Sequence, residues 1–274
     1  MTGNSISGHL RIRCDVRDDG VPYLSKQSFR APIHLSKSHR DAGALIVTLV
    51  NPTAGFFDGD ALVCEVEVGN DAKLVLSTPS SSRVFRTRTG KPAVCDQTFH
   101  VDKGGFLEWI PEAFIPHKGA SYEQRTSIHL EEGASLFFID WISPGRVARG
   151  ECFEYEKLRW ELDLFVSGDL VAREKYEMIG LGRGPEGITA MFESGHFISV
   201  FLSGKMVENW PKEKIEQLEN DDVYMGHGGL NGEAMVLRAI CRDSLAARGF
   251  VEELRKILYD SAGMELPKLG RIFM

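Results

Sequence analysis

Glu108 and Glu112 stand four residues apart, beside Trp109, Ile110 and Pro111. Paired carboxylates next to an aromatic can do the acid and base work of glycoside hydrolysis, so a β-helical carbohydrate-active hydrolase is one expectation. Ser80, Ser81 and Ser82 could supply a nucleophile, but nothing in the sequence identifies a base for it, and a serine-rich turn is the simpler reading. His227-Gly228-Gly229 has the composition of an oxyanion loop, yet no GxSxG elbow accompanies it, and it reads as a hinge before C-terminal helices. Residues 180–187 (GLGRGPEG) suggest a phosphate cradle. A dinucleotide site needs strand, glycines and helix in that order, and Pro185 with the apolar strand-like run after it breaks the pattern, which leaves a loop between sheets. No GxxxxGK[ST] motif is present. The eight histidines show no chelating spacing, so no closed metal site is evident. The cysteines, Cys14, Cys64, Cys95, Cys152 and Cys241, are far apart and are expected to be buried thiols in a reducing compartment.

These residues need a scaffold, and the sequence describes one. The 274 residues are 43% hydrophobic and 26% charged, enough to bury a core without disulfides or structural metals. A net charge of -7 argues against nucleic acid as a partner, because phosphate binding needs a basic surface. No run approaches the ~20 apolar residues of a membrane span, and the first ten residues carry no leader, so a cytoplasmic protein with no membrane contact is expected. Strands are predicted at 9–16, 44–50, 62–68, 73–78, 94–101, 106–110, 124–130 and 136–142, divided by turns at 70–71, 103–105, 132–133 and 167–169. In 62–68, Cys64, Val66 and Val68 alternate with Glu65 and Glu67, the period of a half-buried strand. Many short strands without helices between them predict a mostly β fold of two stacked sheets, β-helical in character, rather than a parallel α/β fold. A short helix is predicted at 211–218, and helical spacing over 232–261 with a break at Gly249. The expected organisation is a single domain over 1–274, β-rich to 205 and helical from about 210 to 262.

Five segments, in order, resemble the urease accessory protein UreD (UreH) family. Residues 51–60 (NPTAGFFDGD) are similar to its NPxGG-hydrophobic-x-GD segment, and 78–86 (TPSSSRVFR) to its T-x-small-small-S-K-x-[YF]-R segment. Residues 107–120 (LEWIPEAFIPHKGA) match the most specific of the set, LEWLPQ-x-x-I-x-[FP]-x-x-A. Residues 145–151 (GRVARGE) carry the GR-x-x-x-GE signature, and 237–272 resemble the family's ending with its final PxLxRI. Ala54 in place of a glycine, the added carboxylate Asp58, and His117 in place of an aromatic or aspartate depart from the pattern.

The resemblance implies a non-enzymatic scaffold of two stacked sheets that binds UreF-type and UreG-type accessory proteins and docks with them on apo-urease, with room for a dimer within that complex. It implies no stably bound cofactor: nickel is in transit, and GTP sits only on the partner GTPase. It also implies a polar internal tunnel for nickel, lined by Asp60, Ser82, Asp140 and Glu174. Scattered carboxylates without a His/Cys cluster suit such transit, since Ni²⁺ binds imidazole and thiolate more tightly than carboxylate and water. The competing expectation is structural: Asp60 capping a turn, Asp140 or Glu174 paired with an arginine, and Arg146, Arg149 and Glu151 forming an ion-pair network.

Overall fold

The structure, a computed structural model, describes residues 5–53, 55–180, 182, 184–231 and 234–269. Its first strands are β1 (Ser7–Val16), the antiparallel β2 (Pro22–Arg30), and the short β3 (His34–Leu35) and β4 (His39–Asp41). The winding proper follows: β5 (Ala44–Val50), β6 (Ala61–Val68), β7 (Lys73–Ser77), β8 (Ser82–Val84), β9 (Ala93–Val101), β10 (Phe106–Ile110), β11 (Phe114–Pro116), β12 (Ser121–Leu130), β13 (Ser135–Ile142) and β14 (Lys157–Val166). Strands β6, β9, β12 and β14 pair in parallel in one sheet, and β5, β7, β10 and β13 in parallel in the other. Each turn of the coil therefore adds a strand to each sheet, which is the β-helical stacking that the sequence predicts. Antiparallel strands complete it: β15 (Asp169–Met178) folds back on β14, while β16 (His196–Ser203), β17 (Val223–Leu230) and β18 (Ala234–Cys241) extend the second sheet. Seven strands, ordered β15-β14-β12-β9-β6-β1-β2, thus face an eleven-stranded sheet.

The two sheets bury different faces, and their sequences differ accordingly. In β6 (ALVCEVEV), Cys64, Val66 and Val68 are buried against the other sheet while Glu65 and Glu67 turn outward. The outward face carries ion pairs such as Arg13–Glu67 and Arg125–Asp96, so many of the chain's charges lie on a solvated surface. Strands β10 (FLEWI) and β13 (SLFFIDWI) are buried at every position, because helices cover the outer face of their sheet. Doubly buried parallel strands read as continuous apolar runs rather than alternating ones.

The covering helix is α4 (Ser244–Ser261), reached after the short α1 (Glu186–Thr189), α2 (Lys205–Glu208) and α3 (Lys212–Glu216). The Asp243 side chain caps α4 by accepting from the backbone N–H groups of Leu245 and Ala246, both at 2.9 Å. Ala247, Phe250, Val251, Leu254 and Leu258 form its buried stripe. Beneath it Glu108 is fully buried, its carboxylate taken by the Arg255 guanidinium and, at 2.6 Å, by the Tyr259 hydroxyl.

Four expectations are corrected here. The helical spacing over 232–261 holds only from 244: Ala234–Cys241 is strand β18, and residues 232 and 233 lie outside the described residues. Val236 and Ile240 pack toward the core between the sheets while Leu237 and Ala239 pack toward α4, so burial on both faces erased the alternation. Gly249 does not break α4; the position of its missing Cβ meets nothing within 4 Å, so it sits on the open side of a helix held by its opposite face. His227-Gly228-Gly229 is no hinge but part of the edge strand β17. The run after Pro185 forms α1 instead of a strand, with Ile188 in the core.

Candidate functional site

Strand β13 contains a single charged residue, Asp140, and the pleat turns it to the same side as Phe138 and Ile142, into the core between the sheets. The interior of a β-sandwich is normally apolar. Here a 5% exposed carboxyl lies in it. Its Oδ2 accepts from Trp160 Nε1 at 2.9 Å, and its Oδ1 lies 3.5 Å from Gln124 Nε2. Burial pushes this carboxyl up to about 7, and nearby Glu174 adds to the rise, while the two hydrogen bonds oppose it.

Strand register builds the surroundings. Asp140 of β13, Ser199 of β16 and Arg238 of β18 are consecutive partners on one rung of the eleven-stranded sheet. Glu174 and Tyr176 of β15 meet them from the other sheet. Glu174 Oε2 accepts from Ser199 Oγ at 3.1 Å, and Oε1 accepts from Arg238 Nε at 2.9 Å. The Tyr176 hydroxyl is buried and has no hydrogen-bond partner. Burial, Asp140 and Glu174 all hold its proton on well above the usual phenol range. Inward-facing Tyr122, Gln124, Thr126 and Gln97 continue the polar line through hydrogen bonds of 3.1 to 3.4 Å.

This line bounds open space. A cavity of about 280 Å³ has Ser80, Ser81 and Ser82 in its wall together with Gln124 and Asp140. A second pocket, of about 520 Å³, lies over the outward face of the seven-stranded sheet, among Asp96, Arg125, Glu161, Asp163 and Arg173, and is separate from this line. The structure therefore brings Ser82 and Asp140 to one cavity, and Glu174 to the Asp140 rung through Ser199 and Arg238, but does not bring Asp60 there.

Asp60 is 1% exposed, with Oδ1 accepting from the Ile6 N–H at 2.7 Å and Oδ2 from the Phe57 N–H at 2.8 Å. It fixes the turn that carries Phe56 into the cavity wall. Gly55 is needed for that approach: its φ is +148°, and a Cβ there would stand 2.4 Å from the Arg83 carbonyl oxygen. Asp58 caps the facing loop through the Arg88 and Thr89 N–H groups. Ala54, and Arg271 and Ile272 of the C-terminal signature, lie outside the described residues. His117 is buried and packs edge-on against Phe85, centroids 4.7 Å apart; burial and Arg146 hold its pKa below the usual histidine range. Arg146 grips Glu151 through Nε at 2.7 Å, the ion pair expected within the GR-x-x-x-GE segment.

Glu108 and Glu112 do not form a catalytic pair. The first is sealed beneath α4, and the second is held by Arg248 through both oxygens, at 3.0 and 2.8 Å. Among the described residues no three His, Cys, Asp or Glu side chains gather as a metal site. Cys14, Cys64, Cys95 and Cys241 are buried free thiols and Cys152 is a half-buried one. No helix among the described residues is long and apolar enough to cross a membrane.

A family model described as UreD urease accessory protein matches residues 7–271, nearly the whole of this chain. The chain belongs to the UreD family. It is 35% identical over 263 residues to the urease accessory protein UreD of Opitutus terrae, covering 93% of this chain and 95% of that one. With UreD of Actinomyces naeslundii the identity is 27% over 264 residues, again 93% and 95% of the two chains. With the urease accessory protein UreH of Helicobacter hepaticus it is 22% over 245 residues, 89% and 96%. UreD membership puts the chain among the accessory proteins of urease maturation.

Several site residues of this UreD-family chain carry little or no signal in the sequence. Arg238 had a local signal, as the one charge in the apolar run AMVLRAIC. Ser199, Tyr176 and Gln124 had none, because only sheet register brings them to Asp140.

Proposed function

We propose that this chain is a non-catalytic cytoplasmic scaffold that binds UreF-type and UreG-type proteins, docks with them on apo-urease, and passes nickel along its polar interior. Ser82 stands at the cavity, Asp140 at its inner wall and Glu174 beyond. Asp60 serves the path by holding the mouth segment in place. The observation that carries this reading is Asp140, a carboxyl buried between two sheets, hydrogen-bonded only to neutral side chains and facing open space. Burying such a group costs stability without improving packing, which a structural role does not explain.

Size and chemistry both suit an ion in transit. An octahedral aqua ion, at about 30 Å³ per water, needs roughly 180 Å³, less than the cavity of about 280 Å³. Carboxylate, hydroxyl and amide oxygens bind Ni²⁺ more weakly than thiolate or imidazole. A conducting path needs sites that admit an ion and also release it.

The test is copurification of the tagged chain with the UreF-type and UreG-type proteins, followed by nickel-dependent urease activation. Asp140→Asn and Glu174→Gln are expected to leave the complex intact and to reduce activation. Normal activation without this chain, or with both variants, would remove the path reading.

A further inference from the structure

Arg238 is held unlike the other arginines that meet buried carboxylates. Arg255 and Arg248 each engage both oxygens of their partners, Glu108 and Glu112, in forked pairs that anchor α4 to the sheets. Arg238 instead brings Nε and Nη2 to a single oxygen, Glu174 Oε1, each at 2.9 Å. Glu174 Oε2 is left to the Ser199 hydroxyl. The Glu174 side chain is 11% exposed but that of Arg238 is 52% exposed, so the guanidinium reaches in from the rim and can swing back to water. Beside this contact lie the Asp140 carboxyl, hydrogen-bonded only to neutral donors, and the buried Tyr176 hydroxyl, which has no hydrogen-bond partner.

The geometry points to Arg238 as a displaceable resident cation that occupies the place of the travelling ion at Glu174 and yields it when a divalent cation arrives. This inference rests on the reading that an ion passes Asp140 and Glu174. Ser199 and Arg238 share the Asp140 rung, so a cation leaving Asp140 meets Glu174 where the guanidinium now sits. A dication outbids a monovalent guanidinium for the carboxylate, and the freed arginine is re-solvated at little cost because the pair is half in water. After the ion leaves, the arginine returns and restores neutrality. The latch keeps the path from becoming a store: without it, Glu174, Asp140, Ser199 and Tyr176 present an oxygen-lined site that retains a divalent ion.

The experiment is equilibrium binding of Co²⁺, with metal quantified after dialysis and its d–d absorption recorded, on the full-length chain and its Arg238→Met, Arg238→Lys and Arg238→Met/Glu174→Gln variants. Arg238→Met is expected to bind one Co²⁺ at least about tenfold more tightly than the unaltered chain, since both a competitor and a like charge are removed. Arg238→Lys is expected to bind as the unaltered chain does, and the double variant to lose the gain. Thermal unfolding checks that each is folded; if Arg238→Met is not, Arg238→Gln replaces it with the same expectation. Binding no tighter than in the unaltered chain, or a gain that survives Glu174→Gln, overturns the latch. Urease activation with Asp140→Asn and Glu174→Gln separates the two ideas. If activation needs both carboxylates while Arg238→Met binds no better, only the latch is wrong; if activation ignores them, the path itself is wrong.

Discussion

Trp160 donates its indole N–H to Asp140 Oδ2 at 2.9 Å, so the carboxyl buried between the sheets is steadied by a neutral donor rather than by a guanidinium. That choice leaves its protonation open, and burial pushes it up to about 7. Between roughly pH 4, where an unfolded aspartate ionises, and pH 7, the folded chain holds a proton that the unfolded chain has lost. Stability therefore falls as pH rises through this window and is lowest above 7. Asp140→Asn removes the penalty. Denaturant melts should show the variant more stable at pH 8, by up to roughly 4 kcal/mol, with the gain shrinking towards pH 4. A gain that does not change with pH would contradict the assignment.

The same hydrogen bond predicts the behaviour of Trp160→Phe. The indole N–H favours the ionised form of Asp140. Phenylalanine keeps an aromatic ring beside Phe114 and Tyr122 but offers no donor. The Asp140 titration, followed by carboxyl carbon NMR, should move further up from about 7.

His196 gives the opposite slope. It is 6% exposed, accepts from Trp141 Nε1 at 3.1 Å through Nδ1, and is held by burial at about 4. An unfolded histidine protonates near 6.5, so this contribution is complete above that pH and is lost as pH falls towards 4. The slopes of Asp140 and His196 oppose each other between pH 4 and 6.5. In an Asp140→Asn background the acid loss from His196 should stand alone, and adding His196→Asn, whose amide oxygen can accept from Trp141, should flatten it.

The two sheets differ in how legibly the sequence encodes them. Strands with one wet face, such as β6, announce themselves by alternation, and the breaks at Asn70-Asp71 and Ser167-Gly168 sit where turns are needed. Strand β18 does not, because both its faces are packed and its apolar run fits a helix equally well. The site follows the same rule. Asp140 stands out as the only charge in SLFFIDWI, whereas Glu174 lies in the charged strand DLVAREKYEM and is distinguished only by what it meets across the sandwich. Asp60 is legible as the carboxylate of the GD turn, but the sequence does not show that the remote Ile6 N–H and the Phe57 N–H take its two oxygens.

Gly249 offers a substitution that should stabilise the chain. It lies in the middle of α4 with free space where its Cβ would be, so alanine meets no steric objection. The gain comes from reduced freedom of the unfolded chain and better helix propensity, about 0.5–1 kcal/mol. Chemical denaturation should show this increase in Gly249→Ala, with urease activation unchanged.

The strongest single destabilisation is expected where α4 is fastened to the sheet. Glu108 is fully buried, and Arg255 satisfies it through both carboxylate oxygens while donating Nη1 to the Pro267 carbonyl at 2.9 Å. Tyr259 adds a hydrogen bond to Oε2. Removing one member of a buried ion pair strands the other charge in a low-dielectric interior, at a cost of about 3–5 kcal/mol. Arg255→Met should pay that in full, since Tyr259 alone cannot neutralise the carboxylate. Tyr259→Phe should cost less, on the order of 1–3 kcal/mol, because the guanidinium still covers both oxygens. Replacing both partners, Glu108→Leu with Arg255→Met, should recover most of the loss, as no charge is then left buried. A double-mutant cycle by urea denaturation checks this, and a double variant as unstable as Arg255→Met would show that packing of the arginine stem, rather than the stranded carboxylate, dominates.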